Sequence, residues 1–175
     1  MRLPIGAVFG LLLVAVTAAQ QPARTPDINF NPTRHNIADA MLQLAKVTAD
    51  DVVYDLGSGD GRIPIIAAQK YGARGVGIEI DPRLVEISWR IANEAEVANR
   101  VTFIVGDLFE ADLSKATVVT TYLSLSIMKM LLPRLRGLKP GTRIVSHQFP
   151  MPDWVPDRRI QVDEAELFLW IVPKG

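Results

Sequence analysis

The chain has 175 residues, 49% of them hydrophobic, a length and apolar content that suit one self-stabilising domain and exclude a disordered or collagen-like chain. Lysine plus arginine and aspartate plus glutamate number 19 each, so net charge supplies no general attraction for nucleic acid. Cysteine is absent, which excludes disulfides, thiolate metal sites and covalent catalysis through sulfur.

The chain opens with a positive Met1-Arg2, followed by an uncharged, largely apolar run from Leu3 to Ala19. Small residues at Thr17-Ala18-Ala19 fit a signal-peptidase site with Gln20 as the mature start, and the run is also near the lower length limit for spanning a bilayer. Residues 1–19 are therefore read as a signal peptide or a membrane anchor, with a buried N-terminal extension as the third reading. Cleavage would make the protein exported or periplasmic. An anchor would tie it to a membrane through residues 3–19, on a side left open by positive charge at both Arg2 and Arg24. Residues 20–34, with Pro22, Pro26 and Pro32, read as a linker to a domain over 35–175.

From Asn36 to Lys46, Ile37, Met41 and Leu44 recur at helical spacing, and Thr48 to Asp51 reads as a turn. VVYDL, residues 52–56, has the apolar, β-branched content of a buried parallel strand. Arg62 to Tyr71 reads as a helix with Pro64 in its first turn, where a missing N–H costs nothing. Gly75 to Ile80 is the second strand. Asp81 caps the next helix, Pro82 opens it, and Leu84, Ile87 and Ile91 mark its inward side. Residues 101–105 and 117–123 are the third and fourth strands. A helix over Ser126 to Gly137 is open to splitting at Pro133. Thr142 to His147 is the fifth strand, and Arg159 to Val162 and Leu167 to Val172 are two more, joined by the acidic turn DEAE. This order implies a doubly wound α/β domain with a mainly parallel seven-stranded sheet and an antiparallel C-terminal edge.

The stretch Asp55-Leu56-Gly57-Ser58-Gly59-Asp60-Gly61-Arg62 follows a strand and opens a helix, the context in which a glycine motif marks a ligand site. Its third glycine comes one position early for a dinucleotide fingerprint. The helix start would offer free N–H groups to a carboxylate, and Asp55 and Asp60 would suit an ammonium or sulfonium. S-adenosylmethionine carries all three groups, with S-adenosylhomocysteine as its product. Asp60 is equally readable as a turn residue. Asp55, a charge at the end of a buried strand, needs a partner. Glu79 and Ile80 end the second strand, where an acidic side chain accepts from ribose hydroxyls. Gly106, Asp107 and Leu108 follow the third strand, where Asp107 could accept from an adenine amino group and Leu108 or Phe109 could pack nearby.

On these motifs the sequence resembles the class I S-adenosylmethionine-dependent methyltransferases over residues 33–173. DLGSGDGR matches that family's first motif, GIEID its ribose-binding strand end and VGDLF its adenine-side motif. MLQLAKVTADDVVYDLGSGDGRI and DLFEADLSKATVVTTYL further resemble small archaeal and bacterial protein-lysine methyltransferases, and the lysine methyltransferases acting on the ATP synthase c ring protein. Many of that group carry Tyr-Val-Pro-Thr-Pro before the first helix and a leucine-leucine-proline segment after the fourth strand. This chain has Phe30-Asn31-Pro32-Thr33-Arg34 and Leu123-Ser124-Leu125-Ser126 instead. The resemblance implies methyl transfer to an acceptor, a protein lysine amine in the narrower reading. A small-molecule or RNA methyltransferase, and a noncatalytic adenosyl-ligand module tethered to a membrane, stay open.

In-line methyl transfer requires alignment more than acid–base machinery, and no metal is expected. Tyr122, with Thr120 and Thr121 beside it, is the candidate substrate-facing group at the end of the fourth strand. His147 reads as either a pocket-border or a core residue, and His35 as a helix start. Trp154 is a candidate cover for the cleft, while Trp89 and Trp170 read as structural.

Overall fold

The structure, a computed structural model, describes residues 31–174. Residues 1–19 and most of the expected linker lie outside this range. The helices and strands run in the order α1 (His35–Leu44), β1 (Val52–Leu56), α2 (Arg62–Tyr71), β2 (Arg74–Glu79), α3 (Pro82–Glu94), β3 (Val101–Val105), β4 (Val118–Thr121), α4 (Leu125–Arg136), β5 (Arg143–His147), β6 (Arg158–Val162) and β7 (Ala165–Ile171). They form one seven-stranded sheet in the order β3-β2-β1-β4-β5-β7-β6. The first five strands pair in parallel, and β7 joins β5 and β6 antiparallel. This is the sheet that the order of elements implied. The strand order reverses between β2 and β4 around β1, so the carboxyl ends of β1 and β4 flank the switch point where open α/β sheets bind ligands.

Alternation along the strands decides which layer each side chain joins. Val53, Val118 and Val145 pack with Leu167 and Leu169 under α1 and α2. Their neighbours Tyr54, Val119 and Ile144 face the opposite layer, where Met128, Leu131 and Leu135 of α4 meet Phe168 and Trp170. A third cluster joins Ile65 and Ala68 of α2 to Val85 and Ala92 of α3 and Phe103 of β3. Beneath the sheet, Asp51 accepts from Thr117 Oγ1 at 2.7 Å and pairs with Arg143, which also donates to Ala45 O at 2.8 Å. One buried carboxylate thereby ties the end of α1 to β4 and β5.

Several local expectations are corrected. The inward side of α3 carries Val85, Ser88 and Ala92, while Leu84, Ile87 and Ile91 are half-buried. A serine fits the inward row because Ser88 Oγ donates to Gly59 O at 3.1 Å and Leu84 O at 2.9 Å. The expected cap holds, with Asp81 accepting from Arg83 N at 2.9 Å and Pro82 opening the helix. Pro133 does not split α4: Pro133 and Lys129, whose carbonyl loses its helical donor, both lie on the exposed face. The acidic turn narrows to Asp163 and Glu164, with Asp163 at φ 51° and Ala165 already in β7. Trp154 does not cover the cleft. It packs on Trp170, whose Nε1 donates to Trp154 O at 2.8 Å.

Gly77, inside β2, marks where the sheet and the glycine loop press together. A Cβ there would lie 2.6 Å from Ser58 Oγ and 2.7 Å from Phe103 Cδ1. Gly77→Ala is therefore expected to destabilise the protein by about 1–3 kcal/mol, the usual cost of overpacking. A urea midpoint equal to that of the wild type would contradict this packing.

Candidate active site

A cavity of about 520 Å³ opens at the carboxyl ends of β1, β2 and β4 and extends to the loops after β3 and β5. Its size lies within the range of small-molecule sites. Asp55, Gly57, Ser58, Gly59, Asp60, Glu79, Ile80, Gly106, Asp107, Leu108 and Tyr122 all line it. Gly61 lies just behind them, at φ +76°, where a Cβ would meet Phe103 Cε1 at 2.5 Å. A residue with a side chain would be strained there and would also clash.

The glycine loop is held differently from the expectation of bare amides. Gly57 and Ser58 donate to Ile78 O at 2.9 and 3.0 Å, and Gly61 donates to Ser58 O at 2.9 Å. Gly59 N–H donates to Glu79 Oε2 at 2.8 Å. These four amides are engaged inside the fold, so the loop offers close backbone approach more than hydrogen-bond donors. The other oxygen of Glu79 accepts from Asp81 N at 2.9 Å, which fixes the carboxylate between the loop and the start of α3.

The carboxylates of the site have unequal environments. Asp55 is buried, with Thr120 Oγ1 donating to its Oδ1 at 2.7 Å, and no basic side chain among the described residues pairs with it. Burial pushes its pKa up to about 7, the Thr120 hydrogen bond opposes the rise, and the charges of Glu79 and Asp60 add to it. Asp60, by contrast, is engaged by Arg62 through Nε at 2.8 Å, and Arg62 Nη1 donates to Thr33 O at 2.7 Å. Asp107 Oδ1 accepts from Phe109 N at 2.9 Å. The wall that follows is held from α4, where Arg134 donates to Leu108 O at 2.9 Å and to the carbonyls of Phe109 and Ala111.

The opposite end of the cavity is aromatic and uncharged. Tyr122 stacks on His147, with ring centroids 4.0 Å apart, and Phe149 lies 6.2 Å from Tyr122. Asn31 Nδ2 donates to the Tyr122 hydroxyl at 3.2 Å, and Thr33 Oγ1 shares a 3.2 Å hydrogen bond with His147 Nδ1. Burial, with a smaller contribution from Arg34, pushes the His147 pKa down to about 4, so the ring is neutral at ordinary pH. His147 thus supports Tyr122 from behind, while exposed His35 only opens α1.

Two expected substrate-facing residues are displaced. Thr120 and Thr121 are fully buried and do not line the cavity. Thr120 points at Asp55, because in β4 it pairs with Asp55 of β1 across the sheet. Thr121 Oγ1 is buried without a hydrogen-bond partner. Conversely, the sequence pattern puts Asn31 and Thr33 in a linker and does not single out Phe149, yet all three line the cavity. Phe149 follows β5 in sequence, so the strand-end rule that finds Glu79 and Asp107 also reaches it. Asn31 and Thr33 are marked only by lying where the related methyltransferases carry Tyr-Val-Pro-Thr-Pro before the first helix.

These features fit an adenosyl amino acid. The cavity holds a buried carboxylate with no basic partner among the described residues, suited to a cation, and further carboxylates toward the β2 and β3 ends. Comparison with known proteins agrees. A family model for the ANTKMT methyltransferase domain matches residues 55–158. A protein-lysine N-methyltransferase of Saccharolobus islandicus (strain REY15A) is 40% identical over 144 residues, 81% of this chain and 89% of that protein. The Xenopus laevis lysine N-methyltransferase named for the c-type subunit of ATP synthase is 33% identical, over 86% of this chain and 68% of its own. Among solved structures, an RNA methyltransferase from Salinibacter ruber in complex with S-adenosyl-L-homocysteine has 53% sequence identity. It matches with a TM-score of 0.81, covering 83% of this chain and 95% of that one. The chain belongs to the family of the ANTKMT methyltransferase domain and is an S-adenosylmethionine-dependent methyltransferase.

Proposed function

We propose that the acceptor is the side-chain amine of lysine in a protein. The observation that carries this reading is the acceptor end of the cavity, where Tyr122, Phe149, Asn31, Thr33 and Leu123 present no charge. A lysine amine is protonated in water and has no free lone pair, with an ordinary pKa of about 10.4. Entry into an uncharged aromatic setting disfavours the ammonium and releases the lone pair without a dedicated base. The lysine methyltransferases among the relatives support the same reading. S-adenosylmethionine supplies the electrophilic methyl group. On this reading Asp55 receives its ammonium, Glu79 its ribose hydroxyls and Asp107 its adenine amino group. Each carboxylate oxygen can take more than one hydrogen bond, so the existing backbone donors to Glu79 and Asp107 are compatible with these roles.

The Salinibacter ruber structure supports a second reading, in which the acceptor is RNA, because the rings that suit a lysine stem also suit a stacked base. Radiolabel transfer into extracts separates the two. Label in protein, recovered as methylated lysine after hydrolysis, is the expected result, and label confined to RNA would overturn the proposal. Residues 3–19 are proposed to serve as an anchor or an export signal, and N-terminal sequencing of fractionated protein distinguishes these.

The assignment of Asp55 has two consequences that vary with pH. Protons compete with the ligand ammonium for a carboxylate whose pKa is about 7, so S-adenosylhomocysteine affinity is expected to fall about tenfold per pH unit below that value. Calorimetry giving a flat affinity from pH 5.5 to 8 would remove Asp55 from this role. The same raised pKa makes ligand-free stability fall as pH rises from the ordinary value of 3.8 toward about 7, because the folded state favours the protonated acid. Asp55→Asn keeps an acceptor for Thr120 and should melt several degrees above the wild type at pH 8. That gain should shrink toward pH 4 and accompany loss of cofactor binding.

A further inference from the structure

The acceptor end is lined by the rings of Tyr122 and Phe149, and part of it is held under strain. Gln148 has φ +67°, a left-handed conformation unfavourable for a residue with a full side chain. Across it Phe149 N–H donates to His147 O at 2.8 Å, and Ser146 Oγ donates to Phe149 O at 2.6 Å. This tight turn at the end of β5 aims Phe149 into the cavity. Its ring lies within 21° of parallel to that of Tyr122, which in turn lies within 30° of His147. The strain persists because the surrounding hydrogen bonds fix the turn, an arrangement typical of functional sites.

The electrostatics of this end favour one kind of guest. No carboxylate lines it among the described residues, and buried, neutral His147 places no positive charge behind Tyr122. A cation here meets the negative faces of the aromatic rings beside the uncharged Asn31 and Thr33, with the Arg34 guanidinium near enough to lower the His147 pKa. An unmodified ammonium is strongly hydrated and gains little from that exchange. A methylated ammonium is weakly hydrated and gains more.

We infer that Tyr122 and Phe149 form a binding surface for the methylated ammonium, and that Phe149 determines how many methyl groups the acceptor amine receives. The inference rests on the lysine reading above. In each round the lone pair of the neutral amine forms a C–N bond to the methyl carbon while that carbon's bond to sulfur breaks, leaving the electron pair on sulfur. The resulting ammonium stays against the rings, passes a proton to solvent and regains a lone pair. A trimethylated nitrogen has no proton to lose, so the series ends there.

The test uses the full chain saturated with S-adenosylhomocysteine, titrated by NMR with Nε-trimethyllysine and with its neutral isostere, in which a quaternary carbon replaces the nitrogen. The cation is expected to bind at least about fivefold more tightly, since shape and apolar area are matched. Phe149→Leu should bring that ratio close to one, and Phe149→Tyr should preserve it, both with unchanged S-adenosylhomocysteine affinity as the check on folding. In labelled protein, Phe149→Leu should shift the products toward monomethyl-lysine by mass spectrometry. Equal binding of the two isosteres by the wild type, or an unchanged ratio in Phe149→Leu, would overturn the inference while leaving the lysine reading in place. Label found only in RNA would remove the lysine reading without altering the titration.

Discussion

The backbone N–H groups of Gly59 and Asp81 share one carboxylate, that of Glu79. Through it the glycine loop after β1, the end of β2 and the entry to α3 become a single unit. Ile78 O, one residue earlier, takes the N–H groups of Gly57 and Ser58, so the last two residues of β2 hold three loop amides. The close approach this requires explains why Gly77 and Gly61 lack side chains and why the inward row of α3 offers a serine there. A group that is expected to meet the ribose is also the fastening of the loop, so binding and local architecture cannot be altered independently at Glu79.

The two ends of the cavity treat charge in opposite ways. At one end Asp55 is kept buried without a cation, at a cost in folding that a bound ammonium would offset. At the other, charge is excluded and aromatic rings take its place. The contrast follows from strand order, because β1 and β2 deliver acidic residues at their carboxyl ends while β4 and β5 lead into Tyr122 and Phe149. A cationic donor and an acceptor that must shed its proton are thereby given separate environments within one pocket.

The sheet is legible in the sequence because its central strands β1, β4 and β5 are buried on both faces and its strands are punctuated by glycine, proline and aspartate. The carboxylates Asp55, Glu79 and Asp107 are legible because each lies at or just beyond the carboxyl end of a parallel strand. Thr120 and Thr121 are misplaced by a reading that does not carry alternation through to register: only pairing with β1 shows that Thr120 faces Asp55. Three of the bare amides expected of the loop are taken up by β2, a long-range arrangement that no local motif displays. Asn31 and Thr33 reach the cavity through contacts with Tyr122 and His147, residues far away in the chain.

Helix α4 begins beside the acceptor end, just after Ser124 on the cavity wall, and carries Arg134 in its last turn. That guanidinium grips the carbonyls of residues 108, 109 and 111, which form and support the wall at the other end. Twelve residues of helix, a rod of about 18 Å, therefore connect both ends of the pocket mechanically. A tilt of this rod by an arriving acceptor would be felt at the wall around Leu108, which makes loading of one substrate and retention of the other a matter of shared leverage.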